Sequence, residues 1–161
     1  MFKSFCNSPL GLIAIEAKDS RIDSIQFINE SVEMDEIENY HTKECKRQLN
    51  EYFNGKLKRF DLEFNLKGTE FQKLIWTQLQ KVLFGETKSY NELAEIIGDI
   101  KKVRAVANAN AKNPLAIVVP CHRIIGSDGK LTGYAGGLWR KDWLLKHEAE
   151  FSNKDFQTTL F

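Results

Sequence analysis

The sequence predicts two parts of different fold class: a small α/β domain over residues 1–66 and a mainly helical domain over residues 67–150, followed by a tail at 151–161. Two observations give this division. Apolar and polar residues alternate at strand spacing in parts of the first region, and apolar residues recur at helical spacing in most of the second. Lys67-Gly68 lies between the two patterns as a plausible linker. With 161 residues, 42% of them hydrophobic, the chain is long enough to bury a core.

The first domain begins with a predicted hairpin. Residues 10–17 and 21–27 are rich in apolar and β-branched side chains, and they flank the polar Lys18-Asp19-Ser20. Residues 29–39 are acidic and without clear periodicity, so we expect a loop there.

A helix and a further strand complete the predicted first domain. Residues 40–53 carry Cys45, Leu49 and Tyr52 at helical spacing and end at Asn54-Gly55, as a helix does. From Phe60 to Leu66, apolar and polar residues alternate again. We therefore expect a small antiparallel sheet with one helix.

The second domain opens with three predicted helices. Thr69 can cap a helix that Gly85 stops, and Ser89 with Glu92 forms a capping box for a second helix. A third helix is expected from about Lys101 to Lys112. This order places a helix-turn-helix in the basic half of the chain, because residues 67–161 carry a net charge of +4 and residues 1–66 carry −3.

After the third helix, residues 115–119 are expected to run as buried extended chain. Residues 127–130, Ser-Asp-Gly-Lys, predict a tight turn between two extended pieces, as in the wing of a winged helix domain. The last helix is expected to start at Leu138 and to bury its apolar residues, and residues 152–155 are expected to break it. The residues expected in this core are Leu138, Trp139, Trp143 and Leu144 or Leu145.

The predicted third helix has an unusual surface. Its basic residues are Lys101, Lys102, Arg104 and Lys112, and alanine occupies positions 105, 107, 109 and 111. Alanine is the best helix former and the lysines can simply be solvated. The alternative is that small side chains let a DNA backbone approach closely, and the helix-turn-helix and the basic half favour this alternative.

The dipeptide Cys121-His122 follows an apolar run and is the strongest candidate for chemistry. A thiol attacks carbon as its thiolate, which a neighbouring base can generate. Glu148, at the end of the last helix, could orient the imidazole, which would give a nucleophile, a base and an orienting carboxylate. The plainer alternative is that Cys121 is a small buried hydrophobic residue, as most free cysteines are.

The wider spacing around Cys121 resembles that of the O6-alkylguanine-DNA alkyltransferases, also called methylated-DNA–protein-cysteine methyltransferases. The resemblance extends through most of residues 69–150. It rests on Asn113-Pro114, Pro120-Cys121-His122-Arg123, Gly133-Tyr134-Ala135-Gly136-Gly137 and Trp143-Leu144-Leu145-Lys146-His147-Glu148. In residues 1–66 it is limited to Ser8-Pro9-Leu10-Gly11 and Phe60-Asp61-Leu62, and it implies a ribonuclease-H-like fold there and a winged helix-turn-helix in the second domain.

The resemblance implies repair of O6-alkylguanine in double-stranded DNA by one irreversible transfer of the alkyl group to Cys121, with no metal and no cofactor. His122 would take the thiol proton, directly or through water, and Glu148 would fix its tautomer. Tyr90 matches the tyrosine of Ser-Tyr-x-x-Leu-Ala and could protonate the leaving guanine, although it could also merely cover the second helix.

The DNA-binding residues and the base pocket also come from the resemblance. The base must leave the stack to react, and Arg104 matches the family's intercalating arginine on a helix that enters the minor groove. The implied DNA contacts are Lys101, Lys102, Arg104, Ala105 and Ala109. The implied pocket residues are Asn113, Ile124, Tyr134, Ala135 and Gly136.

The sequence departs from the family at two positions, and rival functions remain open. Leu83 stands where proline is usual, and Ala135 where some members carry serine. A non-catalytic alkyltransferase-like protein would typically carry tryptophan in place of Cys121. A cysteine hydrolase would need an oxyanion site, and a plain winged-helix regulator would leave Cys121 without a role.

Cysteine spacing and the length of the apolar runs indicate the compartment and exclude some ligands. Three cysteines without paired spacing indicate no disulfide framework, and Cys6, His41 and Cys45 lack a fourth ligand for structural zinc. The longest apolar run, residues 114–121, has eight residues, whereas a membrane-spanning helix needs ~20. We therefore expect no membrane contact and a monomer in a reducing compartment, cytoplasmic, or nuclear in a eukaryote.

The end of the chain offers one more hypothesis. Gln157, Leu160 and Phe161 resemble the short peptides that dock repair proteins onto the sliding clamp. The alternative is that Phe156, Leu160 and Phe161 pack back onto the core of this protein.

Overall fold

The computed structural model describes residues 1–30 and 33–160, with side chains through Ser152. The chain forms two compact units. One comprises residues 1–67 and 114–118, and the other comprises residues 68–113 and 119–161. The boundary predicted at residues 66/67 leaves residues 114–118 in the second domain, whereas in the structure they belong to the first unit.

The first unit contains a three-stranded antiparallel sheet in the order β1-β2-β3. Its strands are β1 (Phe2–Ser8), β2 (Gly11–Lys18) and β3 (Arg21–Ile28). The predicted hairpin is β2–β3, with Asp19 at φ 56° in its turn. Buried side chains of the sheet include Ile13, Ile15 and Ile25.

Helix α1 (Tyr40–Phe53) lies where the sequence predicts it and packs against the sheet. Its N-cap is Asn39, whose side chain accepts a hydrogen bond from the Thr42 amide while the Thr42 hydroxyl accepts one from the Asn39 amide. Cys45, Leu49 and Tyr52 are fully buried. The helical periodicity thus identified the buried face correctly.

The strand predicted from Phe60 to Leu66 is wrong. This segment makes a single parallel bridge between Ile22 and Phe64. The side chain of Gln48 on α1 bonds both the amide and the carbonyl of Asp61, at 2.9 Å each. Because a side chain satisfies this backbone, the segment needs no strand partner there. The third strand of the sheet is instead β1.

Residues 115–119 are not extended throughout, contrary to the prediction. Leu115 bridges to Ile25 of β3, but the Val118 amide then donates to the Ala116 carbonyl at 2.8 Å, around Ile117 with φ 71°. A positive φ at a β-branched residue is strained and persists where packing enforces it, and Ile117 is 1% exposed.

The second unit is mainly helical, which confirms the predicted fold class. Its elements are α2 (Glu70–Leu79), β4 (Lys88–Ser89), α3 (Tyr90–Ile96), a 3-10 turn (Ile100–Lys102), α4 (Val103–Ala111), a 3-10 turn (Cys121–Arg123), β5 (Ile124–Ile125) and α5 (Leu138–Leu160). The capping boxes at Thr69 and Ser89 are present. The α2–α4 packing is fixed by Trp76, whose indole nitrogen donates to the Ala109 carbonyl at 2.9 Å.

The tight turn predicted at residues 127–130 is present after β5, and the Gly126 amide closes it by donating to the Lys130 carbonyl at 2.9 Å. In the described chain β5 pairs in parallel with β4, and no strand follows the turn. Two other expectations for the second unit fail. Helix α5 continues through Leu160 because residues 152–155 have modest helix propensity but include no Gly or Pro. Leu138 and Trp139 are 48% and 57% exposed, so of the predicted core only Leu144 is fully buried.

Candidate active site

A pair of tight turns brings Cys121 to its position. Pro120 has φ −83° and ψ 64°, and the Cys121 amide donates to the Val119 carbonyl at 2.8 Å, which is an inverse γ-turn. The 3-10 turn Cys121–Arg123 follows at once. Asn113 and Asn110, from the end of α4, donate to the Val119 and Cys121 carbonyls at 2.7 and 3.3 Å. The carbonyls on both sides of the thiol are therefore held by amide side chains.

His122 and Glu148 lie together in the interior. His122 Nε2 is 2.6 Å from Glu148 Oε2, and both side chains are at most 1% exposed. Burial lowers the pKa of His122, and the Glu148 charge opposes this only in part. Burial alone would raise the pKa of Glu148, but His122 and Arg123 together hold it below its ordinary value. The arrangement is a neutral imidazole on an ionised carboxylate.

Arg123 neutralises that carboxylate. Its guanidinium donates to both oxygens of Glu148, at 2.8 and 3.1 Å, and to the Val82 carbonyl at 2.7 Å. The Gly85 amide also donates to Glu148, at 3.3 Å. A buried bidentate pair of this kind supports an ionised Glu148. The sequence did not single out Arg123 for this role, although it is part of the Pro-Cys-His-Arg motif.

The tautomer of His122 follows from its contacts. With Nε2 donating to the carboxylate, Nδ1 carries the lone pair and can accept a proton. Nδ1 is buried and has no hydrogen-bond partner within the part of the chain that the structure describes. The thiol is therefore not directly bonded to the ring, and the geometry favours the route through water over direct transfer.

Lys141, which sequence reasoning missed, is buried in the same site. Its side chain is fully buried, and Nζ donates to the Thr132 carbonyl at 2.9 Å and to the Tyr90 hydroxyl at 3.4 Å. Burial lowers the pKa of Lys141 to about 8. Burial raises the pKa of the Cys121 thiol, and a hydrogen bond with Asn113 and the Lys141 charge counteract it.

A sequence signal for Lys141 was available. It precedes Glu148 by seven residues, two turns of α5, so the two share a helix face.

Tyr90, at the start of α3, faces the same site. Its hydroxyl donates to the Thr132 carbonyl at 3.0 Å, and burial raises its pKa. Tyr90 and Lys141 thus share the Thr132 carbonyl, and both interact electrostatically with Cys121.

Three of the predicted pocket residues, Tyr134, Ala135 and Gly136, belong to the same segment as Thr132. Residues 131–137, here called the pocket loop, have no helix or strand. Tyr134 is half-buried, Ala135 is exposed, and the Gly136 carbonyl accepts a hydrogen bond from Arg140 at 2.9 Å. Ile124 is fully buried in β5.

The exposed face of α4 and the 3-10 turn before it carries most of the predicted DNA contacts. Lys101, Lys102, Arg104 and Ala105 are exposed, and Asn108, which sequence reasoning omitted, is exposed on the same face. Ala109 was wrongly included. It is 2% exposed, because α4 turns this position towards Trp76.

The metal alternative has no support in the described side chains. Through Ser152, excluding residues 31 and 32, no group of three or more His, Cys, Asp or Glu could hold a metal ion. Cys6, Cys45 and Cys121 are all free. The side chains of Phe156, Gln157, Leu160 and Phe161 lie outside the described residues.

A buried thiol near a neutral histidine–carboxylate pair, in one unit with a helix-turn-helix that presents a basic face, defines a class: DNA-binding proteins with a cysteine nucleophile. Family comparison identifies the chain within it. Two family models match the chain. The model described as "6-O-methylguanine DNA methyltransferase, DNA binding domain" matches residues 70–150. The model described as "6-O-methylguanine DNA methyltransferase, ribonuclease-like domain" matches residues 1–66. The chain belongs to the 6-O-methylguanine DNA methyltransferase family, which confirms the resemblance seen in the sequence.

Individual relatives agree over nearly the whole chain. The methylated-DNA–protein-cysteine methyltransferase of Methanosarcina barkeri is 44% identical over 153 residues, covering 92% of this chain and 97% of that one. The one from Mycolicibacterium paratuberculosis is 45% identical over 150 residues, covering 91% of each chain. A crystal structure of Mycobacterium tuberculosis OGT in complex with DNA has a TM-score of 0.84 at 38% identity and covers 94% of both chains.

Proposed function

We propose that this chain repairs O6-alkylguanine in duplex DNA by transferring the alkyl group irreversibly to Cys121, one group per molecule. The proposal rests mainly on the 3-10 turn Cys121–Arg123, in which His122 and Arg123 both contact Glu148, in a chain of this family. The Cys121 sulfur would form a bond to the alkyl carbon while the carbon–O6 bond breaks. The electron pair of that bond leaves with guanine, which then takes up a proton.

The proton of the thiol would pass to His122 Nδ1 through water. The resulting imidazolium is stabilised by the Glu148 carboxylate at Nε2. Arg123 limits this stabilisation because it already neutralises the same carboxylate, so the imidazolium is only partly compensated. Transfer to a base of this kind is the general mechanism for activating a buried thiol.

Lys141 would stabilise the other product of this proton transfer, the Cys121 thiolate, although its charge disfavours the imidazolium. Its ammonium is buried, fixed by the Thr132 carbonyl, and electrostatically coupled to Cys121. Since it is protonated at neutral pH, it favours the thiolate over the thiol. Tyr90 and Lys141 share the Thr132 carbonyl, and either group can donate towards the guanine as charge develops on its ring.

DNA would bind along the exposed face of α4 and its preceding turn. Arg104 is exposed there and would fill the space that the flipped nucleotide leaves. Lys101 and Lys102 would contact phosphates, so affinity should fall with salt and vary little with flanking sequence. Arg104→Ala should slow repair in duplex DNA much more than reaction with free O6-benzylguanine.

The rival functions are less well supported. A non-catalytic lesion-binding protein has no use for a thiol with a base and a buried cation around it. A cysteine hydrolase could use Cys121, His122 and Glu148, but it gains nothing from the basic face of α4. A transcription regulator would leave the buried charges of the site without a purpose, although they cost stability.

None of the helices in the described part of the chain combines the length and hydropathy needed to cross a bilayer. We propose a monomer that works in the cytoplasm, or in the nucleus of a eukaryote. We also propose that Gln157, Leu160 and Phe161 bind the sliding clamp. Undetectable binding of the full chain to a purified clamp near ~100 μM, where peptide-scale contacts register, would retire the clamp idea.

One experiment tests the central proposal. The full chain is incubated with duplex DNA containing a single O6-methylguanine, and intact-protein and peptide mass spectrometry follow the product. One methyl group on Cys121 per protein molecule is expected, with unmodified guanine left in the DNA. An unmodified Cys121, or many product molecules per protein, would reject the mechanism.

A further inference from the structure

The pocket loop, residues 131–137, is held at two carbonyls by adjacent side chains of α5. Lys141 Nζ donates to the Thr132 carbonyl and Arg140 Nη1 to the Gly136 carbonyl, both at 2.9 Å. The loop has no helix or strand of its own, and its own backbone closes one turn, from the Gly137 amide to the Tyr134 carbonyl at 2.9 Å. Side chains from the first turn of α5 therefore fix the two ends of the segment that carries Tyr134 and Ala135.

Burial and a contact with Trp139 hold the Arg140 side chain in this position. It is 5% exposed, and its guanidinium lies over the Trp139 ring, 4.7 Å from the ring centroid. A planar guanidinium can stack flat on an aromatic face while donating from its edge to a carbonyl. The stack therefore fixes the direction in which Arg140 reaches Gly136.

Trp139 is 57% exposed, yet its indole lies against the end of the pocket loop. A Cβ added at Gly137 would come within 3.3 and 3.4 Å of indole atoms, and Gly137 has φ +95°. The positive φ favours glycine there, and the short distances show that the indole packs against Gly137. The indole thus contacts the loop and supports Arg140 at the same time, which gives a purpose to an otherwise unexplained exposed tryptophan.

We propose that Arg140, stacked on Trp139, is a positioning residue that sets the conformation of Tyr134–Gly136 and thereby the affinity of the site for the alkylated base. The inference rests on the proposed function and deepens it. It differs from the role given to Lys141, because Arg140 acts through the loop backbone on base binding, whereas Lys141 acts on the charge of the thiol.

The test compares Arg140→Met, Arg140→Lys and Trp139→Ala in the full chain. Lys146→Met is the matched control, since Lys146 lies on α5 with an exposed side chain paired only to Asp142 in the salt bridges of the described chain. The concentration dependence of the reaction with free O6-benzylguanine separates the apparent dissociation constant from the limiting rate of alkyl transfer. Reaction of Cys121 with a small aromatic disulfide, which needs no base pocket, reports thiol reactivity alone. Thermal unfolding checks that each variant is folded.

Arg140→Met should raise the apparent dissociation constant roughly tenfold, the effect of removing one hydrogen bond from a charged donor, and leave the limiting rate and the disulfide reaction within about twofold. Arg140→Lys and Trp139→Ala should each give a smaller rise of roughly threefold, and Lys146→Met none. An unchanged dissociation constant in folded Arg140→Met and Trp139→Ala would overturn the inference. Equal losses in the disulfide reaction would also overturn it, because Arg140 would then act on the thiol. Failure of the unsubstituted chain to gain a methyl group on Cys121 from duplex DNA containing O6-methylguanine would instead reject the proposed function.

Discussion

The two units bury cysteines in different ways. In the first, Cys6 on β1 and Cys45 on α1 are fully buried, and in the second, Cys121 is 6% exposed. Burial raises the pKa of all three thiols. For Cys45, the neighbouring Cys6 and Glu44 raise it further, whereas for Cys121 a hydrogen bond with Asn113 and the charge of Lys141 lower it. Burial is common to the three, so it does not make a thiol reactive.

Cys121 differs from Cys45 in its local backbone conformation and in the groups that surround it. Cys45 is in the middle of a regular helix whose neighbours on the buried face are Leu49 and Tyr52. Cys121 follows an inverse γ-turn, and side chains from α4 and α5 supply it with amide donors and a buried cation. The two positions therefore predict opposite consequences of substitution, one in stability and one in activity.

The largest expected effect comes from exchanging the thiols themselves. Cys121→Ser should abolish methyl transfer, because a hydroxyl in this site is not ionised, while the free energy of unfolding changes little. Cys45→Ala should keep one methyl group per molecule and lose about 1 kcal/mol of stability by leaving a small cavity. Mass spectrometry and denaturant unfolding measure the two quantities. Methyl transfer by Cys121→Ser, or its loss in folded Cys45→Ala, would contradict the difference drawn between the two cysteines.

A smaller but still large effect is expected at Glu148. Glu148→Gln leaves Arg123 as a buried unpaired cation and weakens the orientation of His122, so we expect methyl transfer to slow by a factor of roughly 10² and stability to fall by roughly 3 kcal/mol. The pKa of Glu148 is lower in the folded protein than in the unfolded chain. Its contribution to stability is present above the unfolded pKa of about 4.3 and is lost as the pH falls towards the folded pKa.

Unfolding between pH 7 and pH 3 measures this linkage directly. The unsubstituted chain should lose stability below about pH 5 more steeply than Glu148→Gln, which cannot be protonated there. Glu44→Gln on α1 is the matched control in the first unit, since Arg47 lowers the pKa of Glu44 to about 2 through exposed contacts. Surface ion pairs contribute little, so its acid profile should stay close to that of the unsubstituted chain. Identical acid profiles for Glu148→Gln and the unsubstituted chain would contradict the ionised state assigned to Glu148.

The sequence located the candidate site residues better than their surroundings. Cys121 and His122 could be named because they are adjacent, and Glu148 because it ends the predicted last helix. The structure does bring His122 and Glu148 together. Burial in α5 was predicted less well, since Leu138 and Trp139 are apolar but face outward, while Lys141 faces inward. Hydropathy does not predict that the charged side chain of Lys141 is buried. The bend at Ile117 and the Gln48 contacts with Asp61 depend on packing between distant segments, which no local pattern records.

The smallest expected effect, and the sharpest test of the contrast, is at Lys141. Lys141→Met keeps much of the volume but removes the cation, so reaction of Cys121 with an aromatic disulfide at pH 7 should slow roughly tenfold, the equivalent of one unit in the thiol pKa. Lys46→Met is the control, because the half-buried Lys46 lowers the pKa of Cys6 and Cys6 should stay unreactive either way. Lys141 has a pKa of about 8 in the fold, below the ordinary value for lysine. The unfolded chain therefore binds more protons between about pH 8 and pH 10, and this lysine makes the unsubstituted protein gain stability as the pH rises through that window. The variant should lack that gain and be at least as stable at pH 7, because it no longer buries a charge. A Lys141→Met protein that reacts at the rate of the unsubstituted chain would mean that Cys121 owes its reactivity to His122 alone.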